Sequence, residues 1–246
     1  MHISLQPEII GTLFGIPITN SLILSLLTAL LLVGGGFLLV RSLHIIPGKA
    51  QNALETLLEG MLAFMGQALG NKEQAKKFFP LVATIFLFIL FNNWVGVLPG
   101  TGSVGFYEEH GGERSFVPLL RSANSDLNTT FALALISVVA IQWYGIRKLG
   151  FLQHISKFLV FTKGPIQFFV GILELIGEFA KVLSFSFRLF GNIFAGEVLL
   201  LIIMTLVPVI DPFPFIMLEF FVGFIQALVF AMLTLIFLKI ATEEAH

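Results

Sequence analysis

One arginine stands in the middle of a long apolar segment, where a charge is costly. The segment covers residues 165–208 and consists mostly of Phe, Leu, Ile and Val, with Arg188 inside the stretch SFSFRLFGNIFAGE. An arginine at the centre of a bilayer helix costs roughly 2.5–3.5 kcal/mol on insertion scales. A chain keeps such a charge for a partner or a task, so we predict that Arg188 is a site residue. The alternative is an arginine that snorkels from a helix end, but apolar sequence extends far on both sides.

Other polar residues of this segment recur at spacings that place them near Arg188 on a helix. At about 100° per residue, Glu174 and Lys181 fall within about 40° of Arg188. Asn192 falls about 40° to the other side, and Glu178 lies near 80° from the same line, so its placement is less direct. The segment therefore carries a polar stripe along one face, with a fixed cation between carboxylates and an amide.

Carboxylates stand on both sides of this cation in the sequence. Glu197 follows Arg188 by nine residues and lies near 180° from it on a straight helix. In the last apolar segment, Glu219, Gly223 and Gln226 share a face by their spacing of four and three. Chains of carboxylates build proton relays inside membranes, whereas arginine keeps its proton and cannot relay. Such a path admits protons from each side, resists leakage and needs a separate carrier to take protons past the arginine.

The composition is that of a helical integral membrane protein. The 246 residues are 57% hydrophobic and 12% charged, and the mean hydropathy is +0.95, whereas soluble domains carry about 25% charged residues. The net charge of -1 predicts no nucleic-acid partner. There is no cysteine, and the five histidines show no metal-ligand spacing. We therefore expect no metal and no cofactor. No GxxxxGK(S/T) motif occurs, so we also expect no nucleotide site of that type.

The segment 165–208 is too long for one upright crossing. As a single helix it would reach about 66 Å, whereas a perpendicular span needs only about 20 residues. Either it forms two spans without a polar turn, or it forms one strongly tilted helix. Because no turn signal divides it, we predict the tilted helix.

We predict an all-α integral membrane protein that forms a single membrane domain, with about five membrane helices and one amphipathic helix. The amphipathic segment has apolar side chains on one face and carboxylates on the other, so we expect it to lie along the membrane surface. The alternative is a soluble helix in a loop. The predicted parts are an outer lead (1–20), three spans (21–40, 81–98 and 127–146), the surface helix (53–69), the tilted helix (165–208) and a last long helix (214–239).

The distribution of Lys and Arg predicts the orientation. Residues 41–80 carry five and residues 147–163 carry four, whereas the lead has none and residues 101–125 have two. Short loops rich in Lys and Arg stay in the cytoplasm. Five crossings then place the N-terminus outside and the C-terminus in the cytoplasm.

Several motifs together resemble subunit a of the bacterial F-type ATP synthase, and the resemblance covers nearly the whole chain. The motifs that carry the resemblance are RLFGN followed by AGE, IPGKAQNALE, NNWVGVLPG, SDLNTTFALAL and FIQALVFAMLTLIFL. The resemblance implies a multi-pass protein of the bacterial cell membrane whose last two helices form a tilted hairpin around a rotating c-ring. It also implies a peripheral-stalk b subunit as a partner. The coupling ion stays open between H⁺ and Na⁺, since the ring's own site largely decides it.

The resemblance also assigns roles to residues that match the family's motifs. It implies that Arg188 faces the carboxylate of the c-ring and separates two half-channels. Residues of the implied outer half-channel are Asn192, Glu197, Glu219 and Gln226, with Asp126 near its mouth. Residues of the implied inner half-channel are Glu174, Glu178, Lys181 and Ser184. Many relatives have His where this chain has Glu219, and a carboxylate can fill the same role. Asp126 can equally be a helix N-cap, and the two roles are compatible.

Helical spacing puts Glu197 opposite Arg188, yet the resemblance gives it a part in the outer half-channel. Both hold if the ring contacts the Arg188 face while the last helix packs across the other face. We therefore expect Glu197 to point toward Glu219 across the hairpin, with Gly196 and Gly223 allowing close approach. Two carboxylates this close should share a proton.

A self-contained secondary transporter with an intramembrane Arg–Glu pair is the alternative function. Transporters of that kind carry internal repeats and interrupted helices in matching positions. We find no such repeat in this sequence. Co-purification separates the two hypotheses, because the stator subunit comes with a ring of small hairpin subunits and the transporter comes alone.

Overall fold

The computed structural model describes residues 7–41, 44, 47–98, 100–101, 104–110, 113–151, 154, 165–206 and 213–243. Its α-helices within these residues are α1 (Asn20–Arg41), α2 (Lys49–Leu69), α3 (Lys72–Val97), α4 (Leu127–Leu149), α5 (Pro165–Leu206) and α6 (Phe213–Thr242). Five of them, all except α2, are long and apolar enough to cross a membrane. The predicted all-α membrane architecture is therefore confirmed.

The segment that begins at Pro165 is one continuous helix, as predicted. α5 has 42 residues, which corresponds to about 63 Å at 1.5 Å per residue. The predicted end at Pro208 lies outside the described residues. α6 follows α5 in the chain and packs against it, so the two form the expected antiparallel pair.

The amphipathic segment is a helix that packs on its successor through a very short connection. α2 starts at Lys49, four residues before the predicted helix, and ends at Leu69. The left-handed backbone of the C-cap residue Gly70 (φ 68°) closes the turn. The Asn71 side chain then caps α3 by accepting hydrogen bonds from the backbone N–H groups of Glu73 and Gln74. Met65 and Leu69 of α2 are buried in the common core. The apolar face of α2 is thus partly covered by protein.

α3 extends beyond the predicted second span, because it begins at Lys72 rather than near residue 81. Pro80 lies inside it, although proline removes one backbone donor. The Thr84 hydroxyl donates to the Pro80 carbonyl at 2.6 Å. The helix thus begins with a polar part that Asn71 caps and continues into the apolar part. The prediction rested on the apolar run alone and so missed the polar part.

Two short antiparallel hairpins flank the helices, and neither was predicted. β1 (Ile9–Leu13) pairs with β2 (Ile16–Thr19), and β3 (Gly105–His110) pairs with β4 (Glu113–Pro118). Positive φ values at Phe14 and Gly15 form the two-residue turn of the first hairpin, as expected for turns that match strand twist. The first hairpin leads directly into α1, and the second lies between α3 and α4.

The core lies among α3, α4 and α6, with α2 and one face of α5 packed on it. Aromatic pairs join these helices: Phe78 with Tyr144 at 5.4 Å between centroids, and Phe185 with Phe230 at 4.8 Å. Lipid tails are as apolar as leucine, so close packing rather than the hydrophobic effect holds such helices together. Of α4, α5 and α6, α5 is the least enclosed, because only 11% of its 18-residue apolar stretch is buried.

Candidate functional site

Arg188 lies near the middle of α5, on the face that points away from the core. Phe185 and Leu189 are buried in the core, whereas Ser184 and Arg188 are exposed. The Arg188 Nη2 donates to the Ser184 hydroxyl at 3.5 Å. Among the residues that the structure describes, Arg188 forms no ion pair. A position near the middle of a 42-residue helix excludes the helix-end alternative.

A cleft of about 250 Å³ lies beside Arg188, between α5 and α6. Its α5 wall carries Lys181, Ser184 and Arg188, and its α6 wall carries Leu233 and Phe237. Two of the predicted inner residues, Lys181 and Ser184, therefore line the same cleft as the arginine. The cleft can hold a hydrated path from Lys181 to the guanidinium.

Glu178 and Lys181 form an ion pair one turn before Ser184. The Lys181 Nζ lies 2.5 Å from Glu178 Oε1 and 4.6 Å from the centroid of the Phe237 ring. Glu178 also lines a second cavity of about 480 Å³, between α4 and α5, so the pair connects two spaces. Glu174 is exposed on α5 and lines neither space, so the structure does not bring it to the other inner residues.

Two polar residues beside the second cavity were missed by sequence reasoning. Gln142 of α4 lines this cavity, and its Oε1 lies 2.6 Å from His154 Nε2. His154 is buried and packs on Gly145, where a Cβ atom would lie 2.6 Å from the imidazole. No pattern in the sequence indicates them, because a single histidine twelve residues from a glutamine has no recognisable spacing.

Glu219 and Glu197 meet across the α5–α6 pair. Glu219 is only 6% exposed, and its carboxylate packs directly on Gly196, where any Cβ atom would overlap it. The charges of Glu197 and Glu219 are close enough to interact. The expected close approach at Gly196 is therefore present.

Gly223 does not serve this approach, and that part of the expectation is wrong. A Cβ atom at Gly223 would lie 3.0 Å from the Cβ of Asn93, which belongs to α3. The Asn93 side chain donates to the Gly223 carbonyl at 2.9 Å. The missing side chain at Gly223 thus lets α3, not α5, approach α6.

Glu197 has a cationic partner that the sequence did not reveal. The Arg121 Nε lies 3.4 Å from Glu197 Oε2, and the two side chains are 16% and 28% exposed. Ser125 also lies against the Glu197 carboxylate. Arg121 and Ser125 belong to the segment before α4. Arg121 is 76 residues from Glu197 in the chain. No local pattern can indicate a partner at that separation.

Asp126 is the N-cap of α4, one of the two roles left open by the sequence. Its Oδ1 accepts from the Asn128 backbone N–H at 2.9 Å. Its Oδ2 accepts from the Ser21 hydroxyl at 2.8 Å and from the Thr129 hydroxyl at 3.4 Å. The carboxylate is buried, and it ties the start of α1 to the start of α4.

Asn192 and Gln226, also predicted for the outer path, lie at different places. Asn192 is exposed on the Arg188 face of α5, so the structure places it with Arg188 rather than with Glu197. Gln226 is half-buried on α6, about two turns after Glu219. The outer residues therefore divide into a buried carboxylate pair and two amides nearer the middle of the helix pair.

A buried amide cluster adjoins the carboxylate pair. Asn124 Nδ2 donates to Asn93 Oδ1 at 2.7 Å, and the Trp94 indole N–H donates to the Phe220 carbonyl at 3.1 Å. Gly96 admits this segment to α3, because a Cβ atom there would lie 2.6 Å from the Cβ of Ser122. The motif NNWVGVLPG thus docks the segment that carries Arg121 and Ser125.

Comparisons with known proteins show the family to which the chain belongs. A family model described as "ATP synthase A chain" matches residues 22–239. "ATP synthase subunit a" of Campylobacter jejuni strain 81-176 is 34% identical over 225 residues, covering 89% of each chain. The proteins of the same name from Geotalea daltonii and Gloeobacter violaceus are 35% and 37% identical, covering 90% and 92% of this chain and 86% and 84% of their own. The chain belongs to the ATP synthase A chain family, the family of ATP synthase subunit a.

Proposed function

We propose that this chain is the stator subunit of a rotary ATP synthase, and that it passes ions to and from a ring of c subunits. The observation that carries the proposal is the exposed guanidinium of Arg188 near the middle of α5. No ion pair within the described residues neutralises it. A charge that is so costly in a membrane needs a partner from outside. A ring carboxylate that passes along this face is such a partner.

The proposed outer half-channel leads to Arg188 through the buried carboxylate pair. A proton that enters from outside meets Glu197 and Glu219, which interact across the α5–α6 contact. It then passes along Gln226 and Asn192 to a ring carboxylate beside Arg188. Asp126 supports the mouth by capping α4. Because the carboxylates can give up a proton and the amides can carry a water chain, the path needs no metal or cofactor.

The proposed inner half-channel starts from the other side of the same guanidinium. The cleft lined by Lys181 and Ser184 opens onto Arg188, and the Glu178–Lys181 ion pair links it to the cavity beside Gln142. Glu174 stands further along the exposed face, toward the cytoplasm. A proton released by the ring would leave through this space.

Arg188 separates the two routes because it keeps its proton and cannot relay. Protons therefore cross only while bound to the ring, and each crossing turns the ring. One elementary charge moved through 100 mV releases about 2.3 kcal/mol, so several crossings are needed for each ATP. The uninterrupted α5 also argues against a self-contained transporter, since such transporters bind their ions at broken helices.

The remaining parts of the proposal concern partners and orientation. The c-ring covers the exposed Arg188 face of α5, and a peripheral-stalk b subunit holds the chain against rotation. The chain lies in a bacterial cell membrane with its N-terminus outside and its C-terminus in the cytoplasm, as the Lys and Arg counts predict. α2 lies along the cytoplasmic surface.

Substitution of Arg188 tests the proposal. Arg188→Ala should abolish ATP synthesis and ATP-driven pumping in membrane vesicles that contain the assembled complex. Arg188→Lys should also fail, because lysine is a compact charge that can lose its proton when buried. Arg147→Ala, at an exposed arginine in the last turn of α4, is the matched control and should keep full activity. Near-normal synthesis by Arg188→Ala would refute the stator role.

The two half-channels are tested separately with cysteines, which the natural chain lacks. Single cysteines replace Glu219, Gln226 and Glu174 in complexes that retain some activity. Silver ion should block the first two from the outside and the third from the cytoplasm. If silver has no effect at any of the three positions from either side, the two-path arrangement is wrong even if Arg188 is essential.

A further inference from the structure

We propose that Arg121 is the positioning residue of the outer carboxylate pair. In this role its fixed positive charge favours the ionised form of Glu197 and opposes the effect of burial, which favours the neutral form. The inference rests on the proposed function, because it assigns a division of labour within the outer half-channel. It concerns a residue in the segment before α4 that contacts Glu197 of α5.

The contact geometry supplies the first step. The Arg121 Nε donates to Glu197 Oε2 at 3.4 Å, and both side chains are largely enclosed, at 16% and 28% exposure. An ion pair shielded from water and salt is screened much less than an exposed one. The electrostatic interaction of this guanidinium with the nearby carboxylates is therefore stronger than that of an arginine on the surface.

The two carboxylates are not equivalent, and this asymmetry supplies the second step. Glu197 contacts Arg121 and lies beside Ser125, whereas Glu219 packs against the bare backbone of Gly196. Among the described residues, the charged side chains that interact with Glu197 are Arg121 and Glu219. The contacts that favour a charged carboxylate thus belong to Glu197, and Arg121 acts on the pair through them.

Neighbouring polar groups do not replace Arg121 in this role. Asp126 uses both oxygens to cap α4 and to bind Ser21, and Asn93 of α3 is hydrogen-bonded to Gly223 and Asn124. With one proton, the group of Arg121, Glu197 and Glu219 is neutral. With none, it carries one negative charge. Because Arg121 supplies one fixed positive charge, the outer site alternates between zero net charge and one negative charge.

The segment that carries Arg121 is held in place from two sides. Ser122 packs on Gly96 of α3, and Asn124 is hydrogen-bonded to α3. Asp126 fixes the far end at the start of α4. The guanidinium is thus presented from a docked segment rather than from a free loop, as a positioning role requires.

Three substitutions at position 121 test the proposal in vesicles that contain the whole synthase. ATP synthesis is measured at constant driving force while the pH on the outer side of the membrane is varied. Arg121→Gln removes the charge and should move the profile toward alkaline pH by about one unit, because an opposite charge within about 4–6 Å changes a carboxylate's titration by one to three units. The rate at neutral pH should fall about tenfold. Arg121→Lys keeps the charge and should keep the position of the profile.

Arg121→His supplies a charge that can be switched within one preparation. Free histidine titrates near about pH 6.5, so this variant should match Arg121→Lys at acidic pH and Arg121→Gln at alkaline pH. Because the same folded sample is compared with itself, a loss of assembly cannot imitate this result. Arg147→Gln serves as the control for loss of an unrelated arginine.

Several results would overturn the proposal. One is an unmoved profile in Arg121→Gln, and another is an equal shift in Arg121→Lys. A third is failure of Arg121→Gln and Arg121→His to accumulate in membranes, since the arginine would then be needed for assembly. Arg188→Ala is measured in parallel: if it retains synthesis, the proposed function has failed. If it abolishes synthesis while position 121 has no effect, only the present inference has failed.

Discussion

A methyl group at Gly196 should disable the outer carboxylate pair without unfolding the helix. A Cβ atom there would overlap the Glu219 carboxylate, well inside the 3.4 Å at which ordinary contact begins. The carboxylate must therefore retreat by about 1 Å to restore a van der Waals separation. Alanine gains up to about 1 kcal/mol of helix propensity over glycine, and the overpacking costs about 1–3 kcal/mol. With the full gain in helix propensity, the net loss of stability is about 0–2 kcal/mol.

The functional loss should be much larger than this loss of stability. A displacement of about 1 Å in a working group can cost up to about 100-fold in rate, so we expect Gly196→Ala to lower ATP synthesis at least tenfold. The assay is ATP synthesis in membrane vesicles, normalised to the amount of assembled complex. Gly35→Ala is the matched control, because a Cβ atom at Gly35 meets nothing within 4 Å.

A second substitution makes the reasoning refutable. Glu219→Asp shortens the side chain by one methylene, about 1.5 Å, and should restore part of the activity in the Gly196→Ala background. Full activity of Gly196→Ala alone would show that the contact with Glu219 does not matter. Equal losses in Gly196→Ala and Gly35→Ala would point to a general effect of the methyl group. If Glu219→Asp is active alone but gives no recovery, overlap is not the cause.

Further substitutions probe the pair and its support. Glu197→Gln should strongly reduce ATP-driven pumping, because it removes a proton-exchanging group and the partner of Arg121, whereas Glu219→His should be tolerated, since imidazole also exchanges protons. Equal losses in both would contradict the assigned roles. Cysteines at positions 197 and 219 should be joined by a short cross-linker on a denaturing gel. Asn93→Leu should lower the free energy of unfolding by about 1–3 kcal/mol, because it removes the shorter of the two hydrogen bonds of the buried Asn124 amide. Asn52→Leu at an exposed site is the control.

The membrane helices could be predicted from the sequence because each requirement is local. About 20 apolar residues in a row suffice to predict a span, and the absence of a turn signal was enough to predict α5 as one helix. The first turns of α3 were not predicted, since Lys72 and its neighbours are polar and depend on the cap at Asn71. The hairpin at Phe14 and Gly15 was missed because its strands have only five and four residues.

The candidate site divides in the same way. Helical periodicity placed Lys181 near Arg188, because both belong to one helix, whereas Ser184 was implied by the family resemblance. It could not show that Arg121 reaches Glu197, since no spacing rule spans 76 residues. Gly223 was assigned to the wrong neighbour for a related reason. A glycine indicates that some backbone or side chain comes close, but not which of two adjacent helices supplies it.

The length of α5 affects how the membrane voltage acts on the residues along it. Its candidate membrane span, Phe168–Thr205, has 38 residues and is about 57 Å long. Enclosing this length in a hydrocarbon layer of about 30 Å requires an inclination near 58° from the normal. Each residue then advances only about 0.8 Å in depth instead of 1.5 Å. Glu174 and Arg188, four turns apart, differ in depth by about 11 Å, or roughly a third of the layer. A voltage of 100 mV therefore contributes only about 0.8 kcal/mol to moving a charge between them, compared with about 1.6 kcal/mol on an upright helix.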